Sequence, residues 1–223
     1  FQWAERYNGT GNNQDIATKI IYRSGALYVT GRSRSTSSSL SSDYLTIKYN
    51  LSGDSLWVSR YNGPADNYDE PSSMFVDTQG NVYVTGSSQN SGTSTSSDYA
   101  TIKYNSSGDS AWVRRYDGDV NGQDNANDII VDDSGNVYVT GTSAGTFLDI
   151  LTVKYNSSGD QQWAERYHGP FNTSNDYAYS IALGSNDLIY VSGGSNESSI
   201  STTDIITLKY NSSGDQQWKK TFN

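Results

Sequence analysis

Tryptophan stands at positions 3, 57, 112, 163 and 218, with gaps of 54, 55, 51 and 55 residues. The text around each one recurs. Trp57-Val-Ser-Arg60-Tyr61 matches Trp112-Val-Arg-Arg115-Tyr116, Trp163-Ala-Glu-Arg166-Tyr167 and Trp3-Ala-Glu-Arg6-Tyr7. Upstream, Asp98-Tyr-Ala-Thr-Ile-Lys103-Tyr104-Asn105-Ser-Ser-Gly108-Asp109 recurs from Asp43, Asp149 and Asp204. Between these lies Asp132-Asp-Ser-Gly135-Asn136-Val-Tyr138-Val-Thr-Gly141, which recurs from Asp77, with looser copies around Tyr28 and Tyr190. A chain that repeats at this spacing is built by stacking one supersecondary unit, because a single unit cannot bury its own apolar faces.

Each unit reads as four short strands. In the third copy these are Asn127 to Asp132, Asn136 to Thr140, Ile150 to Asn156 and Gln162 to Tyr167. Val, Ile, Thr, Tyr and Trp alternate along them with period two, and no stripe of helical period occurs. Asp-Ser-Gly-Asn and Asn-Ser-Ser-Gly-Asp punctuate them as turns, with Gly free to take a positive φ. The only prolines, Pro64, Pro71 and Pro170, fall in loops or at a strand start, where no central ladder bond is lost.

Four strands in such a repeat are the size of a propeller blade. Tyr-Val-Thr-Gly, then Asp-Tyr-x-Thr-Ile-Lys-Tyr-Asn-x-Ser-Gly-Asp, then Trp resembles the bacterial beta-propeller repeat family known as SBBP, over essentially the whole chain. The resemblance implies a secreted or surface-exposed bacterial protein and no catalysis. The family's seven-blade count does not carry over to a chain with room for four. The expected fold is all-β: a β-propeller of four four-stranded blades at 10–62, 63–117, 118–168 and 169–223, in one propeller domain. An extra outer-type strand precedes them at 1–9.

Leu, Ile, Val and Phe make up under one fifth of the 223 residues, and the formal net charge is −9. That composition borders on disorder. The 18 Tyr and 5 Trp oppose it, so the core is built from aromatics. The acidic balance argues against nucleic acid, whose phosphates need a basic face. No apolar run approaches the roughly 20 residues of a membrane span. There is no Cys, which removes disulfides and zinc–thiolate sites.

The extra strand, carried by Phe1, Gln2, Trp3, Ala4, Glu5, Arg6 and Tyr7, is surplus to four complete blades. An unpaired strand seeks a partner. The preferred reading is addition to a sheet edge of a neighbouring copy, head to tail. Fraying, or excerpting from a longer array, are the alternatives. Trp57, Trp112, Trp163 and Trp218 read as repeat core covering blade seams, with sugar-stacking platforms as the lesser alternative. Asp15, Asp69, Asp124 and Asp176, each 12 or 13 residues after a Trp, suit acceptance of backbone N–H bonds in a tight loop. Lys48, Lys103, Lys154 and Lys209 are expected to cover apolar surface or pair with Asp.

Asp117, Asp119, Asn121 and Asp128 fit the spacing of a calcium loop around Gly122. The sister loops have the same length, so an ordinary acidic turn is the favoured reading and calcium the alternative; no other cofactor is expected. Asn50, Asn105, Asn156 and Asn211 open Asn-x-Ser sequons that double as turns. Ser/Thr-rich loops at Ser33–Ser42, Ser87–Ser97 and Ser195–Thr203 follow the second strand and share one rim.

His168, the single histidine, sits in a turn slot and supports no Ser–His–Asp set. The Asn-Ser-Ser-Gly-Asp-x-x-Trp turn is one residue off a sialidase Asp-box, and its arginines recur on outer strands. The expected function is a non-enzymatic extracellular structural protein that self-assembles head to tail into fibres, tubes or a layer, as a homo-oligomer or polymer. The alternative is a surface binding module for glycan or protein on one rim, with Tyr68, Phe147, Phe171 and Tyr177 as a thin aromatic supply.

Overall fold

The structure is a computed structural model that describes residues 3–9, 11–34, 41–90, 96–171, 174–196 and 202–223. Among the described residues, sixteen strands lie in four antiparallel four-stranded sheets, each in simple meander order. Sheet 1 holds β1 (Asp15–Arg23), β2 (Ala26–Ser33), β3 (Asp43–Tyr49) and β4 (Ser55–Tyr61). Sheet 2 holds β5 (Asp69–Val76), β6 (Val82–Gln89), β7 (Ser97–Tyr104) and β8 (Ser110–Tyr116). Sheet 3 holds β9 (Asn125–Val131), β10 (Val137–Ala144), β11 (Leu148–Tyr155) and β12 (Gln161–Tyr167). Sheet 4 holds β13 (Tyr177–Leu183), β14 (Ile189–Ser195), β15 (Asp204–Tyr210) and β16 (Gln216–Phe222). The chain divides into two compact units, 1–115 and 116–223, so the units hold sheets 1 and 2, and sheets 3 and 4.

The turns explain why the same text returns. Asn105 Oδ1 accepts the backbone N–H groups of Ser107 and Asp109 at 2.9 and 3.0 Å. Gly108 closes that turn at φ 90°, in the left-handed region glycine tolerates best. Asn50, Asn156 and Asn211 repeat the geometry. The first turn of sheets 2 and 3 uses Asp instead: Asp132 Oδ1 accepts from Ser134 and Asn136 at 2.9 and 2.8 Å, and Asp77 Oδ1 from Gln79 and Asn81 at 2.9 Å. In the sheet centre, buried threonines face each other across strands two and three. Their hydroxyls are 3.2 Å apart for Thr30 and Thr46, and 3.0 Å for Thr85 and Thr101.

The Gly of Tyr-Val-Thr-Gly has a packing reason. The first strand of each sheet bulges opposite it, between Pro71 and Ser73 in sheet 2. A Cβ on Gly86 would collide with the Glu70 carbonyl oxygen and come within 2.7 Å of Pro71 Cα.

The apolar core of each unit is the seam between its sheets. In the first unit Tyr28 and Tyr44 of sheet 1 pack against Met74, Val76, Val82, Val84, Ala100 and Ile102 of sheet 2. In the second, Tyr138, Ile150 and Tyr167 of sheet 3 pack against Ile181, Ile189, Val191, Ile206 and Leu208 of sheet 4. We call the face turned toward the next sheet trailing and the face that receives it leading. Each large side chain so buried contributes about 1.5–3 kcal/mol.

The expected N-terminal strand has no partner in the single chain. Residues 3–9 form no strand, because no described strand pairs with them in a ladder. Phe1 and Gln2 fall outside the described residues, as do large parts of the three Ser/Thr-rich loops.

Candidate functional site

Every seam ends in a tryptophan seat. Trp57, on the outer strand of sheet 1, donates its Nε1–H to the Ser106 carbonyl in the last turn of sheet 2 at 3.1 Å. Its ring lies against Gly108, where a Cβ would be 2.7 Å away, and 6.3 Å from the Tyr104 ring. Trp163 repeats this in the second unit, donating to Ser212 at 3.1 Å beside Gly214 and Tyr210. Trp112 is 8% exposed, with the Arg114 guanidinium 5.8 Å over its ring. Trp218 is half-buried beside Tyr190, and its Nε1–H has no acceptor among the described residues. Lysines stand over the neighbouring tyrosines. Lys48 is 5.3 Å from the Tyr28 ring, and Lys154 is 5.2 Å from that of Tyr138, at cation–π range. Lys154 Nζ also donates to the Ser212 carbonyl at 2.8 Å.

Trp3 occupies the same kind of seat on sheet 1. Its Nε1–H donates to the Leu51 carbonyl at 2.9 Å. Its ring lies against Gly53, where a Cβ would be 2.8 Å away, and 6.4 Å from Tyr49. The segment therefore holds the place of an outer strand from a preceding sheet. Between it and sheet 1 an open groove of about 380 Å³ is lined by Trp3, Tyr7, Ile16, Ile20, Leu27 and Val29 among others.

Sequence reasoning missed the arginine pairs. Arg60 reaches across to Asp43 of β3 at 2.7 Å. Arg115 likewise meets Asp98 at 2.9 Å, and Arg166 meets Asp149 at 3.0 Å. Both members were repeat landmarks, but their spacing in the text did not reveal that adjacent strands bring them together. Arg60 is held further up in pKa by Asp43 and the Tyr7 hydroxyl, against the lowering effect of burial. The Arg115 guanidinium meets Tyr61 in the same way at 3.2 Å.

The loop aspartates accept as their position suggests. Gly9, Gly63, Gly118 and Gly169 donate N–H bonds to Asp15, Asp69, Asp124 and Asp176 at 2.9, 2.5, 2.7 and 2.5 Å. Burial raises the Asp69 pKa, partly offset by the Ser88 and Gly63 bonds. A carboxyl raised in the folded state contributes most stability below its unfolded pKa and loses it as pH rises through the folded value. Acidification from neutral toward pH 4 should therefore stabilise the wild type relative to Asp69→Asn. Parallel melting-temperature profiles for the two proteins would refute this.

The proposed calcium set is spread over separate engagements. Asp119 meets Arg166 at 3.3 Å and is 77% exposed. Asp128 accepts from Ser180 Oγ and the Ile181 N–H on β13, at 3.0 and 3.1 Å. Asp117 and Asn121 are exposed in the loop. The loop is organised instead by Asp124, which also accepts from the Ala144 N–H at 3.0 Å. The sequon amides of Asn50, Asn105, Asn156 and Asn211 each donate to the turn aspartate four residues on, at 2.8–3.1 Å. On the rim of the second unit, Thr146, Phe147, Asp149, His168, Phe171 and Ser174 line a cavity of about 320 Å³. Tyr68 is not among these residues, and Tyr177 stacks on Tyr179.

The beta-propeller repeat family SBBP matches residues 56–99 and 112–147. Those two stretches are similar to SBBP-type repeats. A comparison with curated proteins found no match. Among solved structures, a protein of unknown function from Dyadobacter fermentans is similar at a TM-score of 0.56 and 9% identity, over 93% of this chain and 69% of that one. A protein of unknown function from Bacteroides caccae gives 0.54 and 12%, over 92% of this chain and 61% of that one. This chain thus spans about three fifths of the latter's length. The native arabinanase of Bacillus subtilis gives 0.51 and 13%, over 92% and 78%. At such identities the likeness shows the fold alone. It still corrects the expectation of a non-enzyme. An arabinanase is built on a similar fold, so the lack of a Ser–His–Asp set does not exclude catalysis.

Proposed function

We propose that the chain is an extracellular building block, a propeller-type array of four sheets that assembles head to tail with copies of itself. One observation carries the reading: each unit ends in an uncovered sheet face. On the leading face of sheet 1, Ile20 and Tyr22 are 62% and 63% exposed, whereas their counterparts Met74 and Val76 are 2% and 3% exposed. On the trailing face of sheet 4, Ile205 and Phe222 are 61% and 73% exposed, whereas their counterparts Ile150 and Tyr167 are 0% and 8%. The two faces are of complementary type, since a trailing face packs on a leading face within each unit. Such an interface is heterologous, and repeats of it propagate. Exposed apolar area of this kind marks interaction surfaces. The extracellular placement rests on the family resemblance.

Sedimentation of the purified chain at rising concentration tests the reading. The wild type should form concentration-dependent oligomers. Ile20→Asp and Ile205→Asp should each abolish them. Mixed together, the two variants should form one-to-one dimers and stop, because each keeps one sound face. A wild type that stays monomeric at high concentration would sink the proposal.

A second reading, a binding module on one rim, is favoured by the cavity that gathers Phe147, His168 and Phe171. Two aromatic faces beside polar side chains suit a small glycan or peptide.

A further inference from the structure

We infer that assembly proceeds by strand exchange: the Trp3–Tyr7 segment of one copy takes the outer-strand place beside β15 of a second copy and displaces that copy's β16. The inference rests on the head-to-tail reading and specifies its contacts.

The segment already sits on sheet 1 where the outer strand of a preceding sheet belongs, with Trp3 seated at Leu51 and Gly53. The open groove beside it is lined by the leading face of sheet 1. A second copy's sheet 4, docked as sheet 2 receives sheet 1, brings its β15 alongside the segment. Its β16 would then claim the space that Trp3 fills. One of the two strands must yield.

The residues favour the segment. Trp3-Ala4-Glu5-Arg6-Tyr7 is identical to Trp163-Ala164-Glu165-Arg166-Tyr167 of the native outer strand β12. Arg6 holds the position from which Arg60, Arg115 and Arg166 reach the aspartate on the adjacent strand. In sheet 4 that aspartate is Asp204, 5% exposed; β16 carries Thr221 at the arginine's position, and the Asn223 amide just beyond it reaches the Asp204 carboxylate at 3.1 Å. A guanidinium–carboxylate pair in such a half-buried place is among the stronger polar contacts a strand makes. Among the described residues Trp218 lacks the carbonyl seat that Trp3, Trp57 and Trp163 have, and β16 is exposed at every residue except Trp218. On leaving, β16 gives up its ladder with β15, the Trp218 contact with Tyr190 and the Lys219 bond to the Tyr167 hydroxyl at 3.0 Å. The register follows from β3 and β4, where Thr46 faces Ser59 and Leu45 faces Arg60. In the exchanged sheet Thr207 faces Glu5 and Ile206 faces Arg6.

The absence of cysteine makes the test clean. Glu5→Cys/Thr207→Cys, oxidised at rising concentration, should give a ladder of disulfide-linked oligomers on a non-reducing gel, since facing strand residues lie within disulfide reach. Adding Thr221→Arg, which gives β16 the missing arginine, should cut the ladder several-fold. Thr207→Cys/Lys220→Cys, which locks β16 in place, should suppress oligomers when oxidised and restore them when reduced. If the first variant yields no cross-link while the wild type still sediments as an oligomer, strand exchange is overturned and face docking survives. If the wild type does not associate at all, the head-to-tail reading itself has failed. A cross-linked monomer would overturn the second-copy assignment, placing the segment beside β15 of its own chain.

Discussion

Gly86→Ala should abolish cooperative folding of the first unit. The added Cβ meets backbone on two sides, the Glu70 carbonyl oxygen and Pro71 Cα, and the Tyr44 hydroxyl 2.7 Å away on a third. A side-chain tip can swing aside, but a strand held in register on both edges cannot. Relief would require undoing the β5 bulge or parting β5 from β6, and with it the seam that holds Met74 and Val76. The cost should exceed about 4 kcal/mol, at the extreme of single substitutions. Gly25→Ala provides the contrast. Gly25 sits at φ 78° with open space around its Cβ position, so alanine there meets only left-handed backbone strain of about 1–2 kcal/mol. Circular dichroism melts should show a normal, slightly lowered transition for Gly25→Ala and none for Gly86→Ala. Comparable melts for the two would contradict the close-approach account.

Much of this was legible in the text because the text repeats. The period, the turn residues Asn105, Gly108 and Asp132, and the alternation of Val, Ile and Thr gave four sheets of four strands. The loop aspartates were placed on the acceptor side of their loops from spacing alone. What the sequence hid are contacts between strands that are adjacent in space but not in text. The pairing of Arg60 with Asp43, the seating of Trp57 on Gly108 and the placing of Lys48 over Tyr28 all depend on register. The N-terminal segment shows the limit most sharply. Its residues spell an outer strand, yet a strand is a property of a pair. With no neighbour the segment keeps the side-chain seat and loses the ladder. The loop with calcium spacing at Asp117 was read first as an acidic turn, and there Asp119 meets Arg166 while Asp128 accepts from Ser180 and Ile181. Enzyme status was never legible in a fold that also carries an arabinanase.

Tyr44→Ala and Ile205→Ala should have opposite outcomes although the two residues occupy the same repeat position. Tyr44 is fully buried at 0% exposure. Its ring packs edge-on to Tyr61 at 5.4 Å, and its hydroxyl donates toward the Ser87 and Ala100 carbonyls across the seam at 3.2 and 3.4 Å. Removing it leaves a cavity in the first core and two carbonyls without that donor. A loss of about 3–5 kcal/mol is expected, as for other buried aromatics, and a melting temperature lower by about 10 °C or more. Ile205 is 61% exposed, so truncation removes little buried area and creates no cavity. In dilute monomeric protein Ile205→Ala should change stability by less than about 0.5 kcal/mol. At concentrations where copies associate, the same substitution should weaken association, because it strips the exposed counterpart of Tyr44 from the trailing face. Stability and association are thus separated at one repeat position: Tyr44 has its seam inside the first unit, and Ile205 lies on an exposed face. Equal destabilisation of the dilute protein by both substitutions would mean that sheet 4 is already covered, and the open-face account of this chain would fall with it.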